Sequence, residues 1–376
     1  MLQRAPRTTA CILVTALCAF AASSLAADEG APTRRKPKPG GMGGGSPLNA
    51  MLEPIRETHD VPALAALVLT SEGIVAEGAV GFRKRGDKSR VSLFDRWHIG
   101  SCMKSITATL IGRLVEQKKL QWDTTLAEAF PDLEKTMHEG WQKVTLEQLL
   151  RHRGGMPKGL SRDGLWASLW KTKKAPREAR RLLTETVLSW PPRHAPAPKY
   201  EYSNAGYAVV GHAAETMLDT PFEKLLFDEL LTPLGAAPAG YGAPGKRDRS
   251  LKHPWGQELR ADGRPAMSPE LKQSDNPPAI TPAGRLHMTM RAWARYIQLQ
   301  LAGARDGEEK LLLSRETLRR IQTPREGEDY ALGWATVSRA WAGGRTLTHS
   351  GSNTLWVAVA WLAPARDFAV VVATNQ

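Results

Sequence analysis

Cysteine is scarce, with only Cys11, Cys18 and Cys102 in 376 residues. Long apolar runs are scarce too, the longest candidate being Ala10 to Ala22, behind Arg4 and Arg7 and ahead of the small residues of "SSLAAD". That run falls short of the ~20 apolar residues needed to span a bilayer. Its charged, apolar and small-residue order is instead the layout of a secretory signal, expected over 1–26, with cleavage after Ala26 or Ala27. Leu17 before Cys18 argues against a lipid anchor. Signal removal leaves Cys102 alone, which excludes an intramolecular disulfide and leaves no membrane span. Cys102 is expected to pack as a small apolar side chain. Other chemistries lose support for want of their motifs. No Gly-x-Ser-x-Gly elbow is present, and neither His-Glu-x-x-His nor paired cysteines offer a zinc site. "GGMGGGS" lacks the Gly-Lys-Ser/Thr ending of a phosphate loop. No metal or other cofactor is expected, and no repeat of fixed period occurs.

What is present begins with "ADEGAPTRRKPKPGGMGGGSP", whose Gly, Pro and basic residues offer almost nothing to bury. A disordered basic linker is expected over 27–49, followed by one domain over 50–376. The formal charge is +13; residues 1–49 hold six Lys/Arg and two Asp/Glu, which leaves +9 for the rest. In an exported, periplasmic or secreted protein such a surface suits anionic cell-envelope polymer better than nucleic acid, and a merely solvated face better than either, so no nucleic-acid partner is expected.

"PALAALVLT" and "IVAEGAVGF" flank the turn "SEG", and "TLWVAVAWL" and "FAVVVATNQ" flank "APARD" near the other end. Each pair reads as a hairpin. Between them the spacing of Met103, Ile106, Leu110 and Leu114 predicts a helix, as do the apolar residues of Tyr207–Met217 and Leu286–Leu301. The expected fold is α/β (α+β). Strands from both termini form one antiparallel sheet flanked by helices, with a largely helical insertion at roughly 121–280.

Ser101 and Lys104 stand three positions apart in "HIGSCMKSIT". On a helix this spacing puts both on one face, the apolar stripe lying mostly on the other. Serine needs a neighbour to take its proton, and lysine can do so only with its pKa lowered by burial or nearby positive charge. A second Ser-x-x-Lys, Ser168 to Lys171, lacks a helix-start signal and sits among Trp166, Trp170 and lysines; it reads as surface or packing. Further proton carriers are available in Tyr202-Ser203-Asn204, the only Tyr-x-Asn in the chain, and in His349-Ser350-Gly351.

Ser-x-x-Lys near the first strands, Tyr-x-Asn in the middle and His-x-Gly before the last strands, in that order, resemble the serine β-lactamase and penicillin-binding-protein superfamily. The class C β-lactamase and D-alanyl-D-alanine carboxypeptidase type is the nearest match. The likeness runs from about Met51 to Gln376 and takes in "VTLEQLLRHRGGMP" and the Pro-Ala-Gly turn of "PAGRLHMTMRAWARYIQL". It implies a serine hydrolase with Ser101 as acylated nucleophile, Lys104 as proton acceptor and Tyr202 as shuttle to the leaving group. Asn204 would bind the substrate amide or hold Lys104. His349 would support Tyr202 and orient the acyl group, and Gly351 would let substrate approach the edge strand. The N–H groups of Ser101 and Ser352 would form the oxyanion hole. Substrates implied are small molecules or peptides: D-amino-acid peptides, esters or amides, and β-lactams less efficiently. The alternative is a non-catalytic envelope protein that binds peptide or glycan.

Departures accompany the likeness. Arg153 and Gly154 replace small polar residues, and Ala292 stands where the family often has an acidic one. Ser274-Asp275-Asn276 imitates a class A motif but lies late in the chain, beside Pro277 and Pro278, and reads as a loop. The chain stops at "VVATNQ" without the family's C-terminal helix, so a partly uncovered sheet face is expected. His349 takes the position usually filled by lysine in β-lactamases and by histidine in some peptidases and related hydrolases. At its reference pKa of about 6.5 it would favour anionic substrates only as pH falls.

Overall fold

Apolar runs within the terminal hairpins build a sheet to which both hairpins contribute. The computed structural model describes residues 46–197, 199–245, 251–259, 265–267, 274–353 and 355–376. The expected signal and the linker up to residue 45 lie outside the described residues. The main elements are α1 (Pro47–Thr58), β1 (Ala63–Leu69), β2 (Ile74–Gly81), β3 (Arg96–His98), α2 (Met103–Glu116), α3 (Leu146–Leu150), α4 (Pro176–Ser189), α5 (Asn204–Met217) and β4 (Ala239–Tyr241). They continue with β5 (Gln257–Leu259), β6 (Pro265–Met267), α6 (Thr281–Gly284), β7 (Leu286–Thr289), α7 (Met290–Ala304), β8 (Ala335–Arg339), β9 (Gly344–Ser352), β10 (Val357–Ala363) and β11 (Phe368–Thr374).

The principal sheet runs β2-β1-β11-β10-β9-β8, antiparallel throughout. Every residue of β1 is buried because the strand is covered on both faces. Ala63, Ala65, Leu67 and Leu69 enter the large core beneath the helices. Leu64, Ala66 and Val68 enter a second core with Leu48 and Leu52 of α1 and Val370 and Val372 of β11. The sheet face expected to be partly uncovered is thus packed by α1, with Trp341 and Trp361 at its margin. α1 starts at Pro47, inside the stretch expected to be linker: Ser46 caps it, its Oγ accepting from Leu48 N, and Pro47 suits the first helical turn. A serine-proline start is easily hidden behind a glycine run.

A second difference concerns Leu286–Thr289, expected as the beginning of a helix. These residues form β7, paired with β3 and β4, and Thr289 then caps α7 by accepting from Ala292 N. Leu286 and Met288 satisfy a strand's period as well as a helix's, so the short run is ambiguous by pattern alone. The segment 121–280 holds α3, α4 and α5 and also the short strands β4, β5 and β6.

α2 lies between the sheet and this helical region. Rather than showing one apolar face, it is buried nearly all round, polar residues included. Each buried hydroxyl finds an acceptor: Ser105 Oγ donates to Cys102 O (2.9 Å), Thr107 Oγ1 to Pro282 O (2.7 Å) and Thr109 Oγ1 to Ser105 O (2.9 Å).

α4 and α5 are joined by Arg180, whose fully buried guanidinium meets Glu215 at 2.8 Å and Glu223 at 2.7 Å. Burial alone would raise the Glu215 pKa, but His212, Arg180 and Phe222 N–H outweigh it and hold the acid at about 2. Removing one partner of such a group leaves an uncompensated buried charge. Arg180→Leu is therefore expected to lower unfolding free energy in urea by about 3–5 kcal/mol. Because the folded pKa lies below the unfolded ~4.3, Glu215 stabilises the fold above that pH, and its contribution fades as pH falls toward about 2. Glu215→Gln should flatten that part of a stability–pH curve; an unchanged slope would show that the acid is not held ionised.

Candidate active site

Ser101 occupies a single 3₁₀ turn, Gly100–Cys102, between β3 and α2. Gly100 has φ +49°, and a Cβ there would lie 2.6 Å from Ser352 N. A Cβ on Gly351 would lie 2.0 Å from Ile99 O and 2.7 Å from Ser101 N. Only two glycines let the nucleophile turn and the end of β9 approach this closely. The approach sets the backbone N of Ser352 beside Gly100 and that of Ser101 beside Gly351.

Lys104, the second residue of α2, has no exposure to solvent. Its Nζ is 2.8 Å from Ala283 O, 2.7 Å from Asn204 Oδ1 and 3.1 Å from Ser101 Oγ. Three different segments deliver those atoms: the Pro-Ala-Gly turn of α6, the first residue of α5, and the nucleophile turn. The Ser203 hydroxyl caps α5 by accepting from Gly206 N, which sets Asn204 at the helix start. Burial drives the lysine pKa far below its usual value. In the neutral amine two hydrogens satisfy the two carbonyl acceptors. The remaining lone pair then faces Ser101, whose O–H donates to it.

Tyr202 stands on the other side of the serine and bonds its hydroxyl; burial raises the phenol pKa further than this bond lowers it, so the group keeps its proton. Its ring centroid lies 4.8 Å from Lys104 Nζ. Ser101, Lys104, Tyr202 and Asn204 are therefore brought together in one cluster.

His349 is placed differently from expectation. Its ring centroid is 6.4 Å from that of Tyr202, and its hydrogen bond goes to Tyr330 instead, Nε2 to Oη at 3.2 Å. Its Nδ1 faces Ser350 O at 2.8 Å. A carbonyl only accepts, so Nδ1 carries the proton and Tyr330 donates to Nε2. Burial, reinforced by the nearby Lys104, lowers the His349 pKa to about 3. Burial thus disfavours the protonation near pH 6.5 that the reference value leads one to expect.

Three residues were not expected at the site. His152 and Tyr207 pack with Tyr330 below Tyr202, the His152 ring centroid 4.4 Å from Tyr202 and 4.9 Å from Tyr330. His152 Nδ1 accepts from Ser203 N at 3.1 Å and so steadies the Tyr-x-Asn segment. His152 lies in the stretch "VTLEQLLRHRGGMP" that carries part of the family likeness, which could have pointed to it; nothing in the spacing of Tyr207 or Tyr330 could. Cys102 is buried, its Sγ 3.2 Å from His349 O, and burial raises its thiol pKa, consistent with packing. Ser168 and Lys171 sit on the short helix Leu165–Lys171, Ser168 exposed with its hydroxyl on Gly164 O, and no catalytic partner meets them among the described residues. Among the described residues no group of three or more His, Cys, Asp and Glu is placed to hold a metal ion, and no helix is long and apolar enough to cross a membrane.

The family model for beta-lactamase matches residues 48–376. The chain belongs to the beta-lactamase family. Among curated relatives, Protein flp of Staphylococcus aureus (strain MRSA252) is 19% identical over 330 residues, covering 87% of this chain and 62% of flp. Penicillin-binding protein 4 of Amycolatopsis lactamdurans is 29% identical over 181 residues, 48% of this chain and 45% of the relative. The chain thus spans less than two thirds of the length of these relatives. Among solved structures, the octameric penicillin-binding protein homologue from Pyrococcus abyssi superposes with a TM-score of 0.71 at 22% identity, covering 88% of this chain and 73% of the other. The D-alanine carboxypeptidase AmpC from Burkholderia cenocepacia gives 0.67 at 17% identity, over 88% and 93%. At these identities the likeness establishes the beta-lactamase fold.

Two predictions follow from this geometry. Lys104→Met should slow acylation by about 10²–10⁴-fold, and Lys171→Met should leave it near normal, both read by stopped-flow with an activated ester. Equal losses in the two variants would discredit the assignment of Lys104. The apparent KM for an ester carrying a carboxylate should stay constant from pH 7 to pH 5, since His349 remains neutral throughout. A several-fold fall in KM on acidification, abolished by His349→Gln, would show instead that the ring titrates.

Proposed function

We propose that this protein is an exported serine hydrolase working through an acyl-enzyme on Ser101. One observation carries the reading: a fully buried lysine whose nitrogen is held by two carbonyl acceptors with its third contact on a serine hydroxyl. Lys104 takes the serine proton as Oγ attacks the substrate carbonyl. The developing oxyanion is received by the N–H groups of Ser101 and Ser352, donors of a kind worth a few kcal/mol each. Tyr202 gives its phenolic proton to the leaving group, and Lys104, now protonated beside the ring, restores it. Water then releases the acyl group by the reverse sequence of proton transfers.

Esters, amides and D-amino-acid peptides are preferred over β-lactams. A neutral His349 adds no charge for a β-lactam carboxylate, so rapid turnover of such substrates is not expected. The signal-like N-terminus supports export, and the charge of +13 supports a polyanionic envelope setting.

The test is labelling with a fluorescent fluorophosphonate and a fluorescent penicillin. The folded protein should be labelled at one site, and Ser101→Ala should abolish the signal without lowering the melting temperature by more than a few degrees. A folded wild-type protein that neither probe labels would favour the non-catalytic binding protein.

A further inference from the structure

Asp275 lies in the Ser274-Asp275-Asn276 loop, which the proposed chemistry does not use, yet its side chain is buried. His98 Nε2 is 3.2 Å from its Oδ2, and Asn353 Nδ2 donates to its Oδ1 at 2.8 Å. The same Oδ1 accepts from Asn276 N at 2.6 Å, and Arg285 Nε stands 3.6 Å from Oδ2. His98 in turn accepts the Gly100 N–H on Nδ1 at 3.0 Å. An N–H can only donate, so the imidazole proton must sit on Nε2 and point at the carboxylate. Trp356 stacks on the His98 ring at 5.7 Å and fixes its plane.

These bonds form a continuous strut. One end is Gly100, whose next residue supplies the nucleophile and one oxyanion donor. The other is Asn353, whose preceding residue supplies the second donor. We propose that Asp275 is a positioning residue for the oxyanion hole: acting through His98 and Asn353, it fixes the gap between Ser101 N–H and Ser352 N–H. This inference rests on the acyl-serine reading. The two donors belong to segments far apart in the chain, and the glycine contacts limit only how closely they approach. A tether is needed to stop them drifting apart, and a displacement of ~1 Å can cost about 10²-fold in rate.

Stopped-flow acylation by an activated ester separates the acylation rate constant from the substrate dissociation constant. Asp275→Ala should slow acylation by about 10²-fold with little change in dissociation constant. Asp275→Asn should recover most of the loss. Its Oδ1 can keep the bonds from Asn353 Nδ2, Asn276 N and His98 Nε2, the last at 3.1 Å, while its Nδ2 takes the place of Oδ2. Asn353→Ala cuts only the β9 end and should slow acylation with the dissociation constant again unchanged, which keeps the test decisive if Asp275→Ala does not fold. The positioning role is overturned if Asp275→Asn is as slow as Asp275→Ala, which would point to charge pairing with Arg285. Asn353→Ala at the wild-type rate, or a loss borne by the dissociation constant, would overturn it too. Wild-type protein inert to both ester and fluorophosphonate would remove the acyl-serine reading and this inference with it; active wild type with indifferent variants would remove the inference alone.

Discussion

Excluding water from one lysine nitrogen is the constraint on which the rest of the site depends. A lysine can accept a proton only while neutral, and burial of α2 on all sides favours the neutral form of Lys104. A helix with a solvated face would leave the amine charged at neutral pH, and Ser101 would be no more reactive than any other hydroxyl. The three contacts also draw the molecule together. The sheet and its nucleophile turn, the helical region with Asn204, and the Pro-Ala-Gly turn with Ala283 converge on this atom.

The surroundings of the amine extend the same logic. His152 and His349 are both held below their usual pKa by burial with Lys104 close by, and Tyr202, Tyr207 and Tyr330 are all held above theirs by burial. The layer is polar, and burial disfavours the charged form of each of its members. The nearest carboxylate described above, Asp275, acts on backbone geometry from behind the nucleophile turn rather than on the amine.

Much of this was legible because the decisive signals were local. The hairpins showed themselves through unbroken apolar runs, since strands covered on both faces need no polar alternation. Ser101, Lys104, Tyr202 and Asn204 were legible through short motifs in a fixed order. What escaped depended on tertiary approach. Ala283 contributes a carbonyl, which no side-chain pattern reports, although its Pro-Ala-Gly turn was visible. Tyr330 and Tyr207 look like ordinary core aromatics until folding stacks them under the site. The protonation of His349 could not be read at all, because burial rather than residue type sets it. Asp275 does lie in a loop, as its proline neighbours imply, but those neighbours say nothing of what the loop faces.

The placement of β11 has a consequence for how the molecule comes into being. This last strand lies inside the sheet, between β1 and β10, and Thr374 Oγ1 donates to Ala63 O across 311 positions of sequence. Such a ladder has very high contact order, and topologies of that kind fold slowly. On the ribosome β1 must wait, its inner edge unpaired, until β11, some 311 positions further on, has been made. During that interval an apolar edge is open to wrong partners, so the nascent chain has reason to be shielded until β11 arrives.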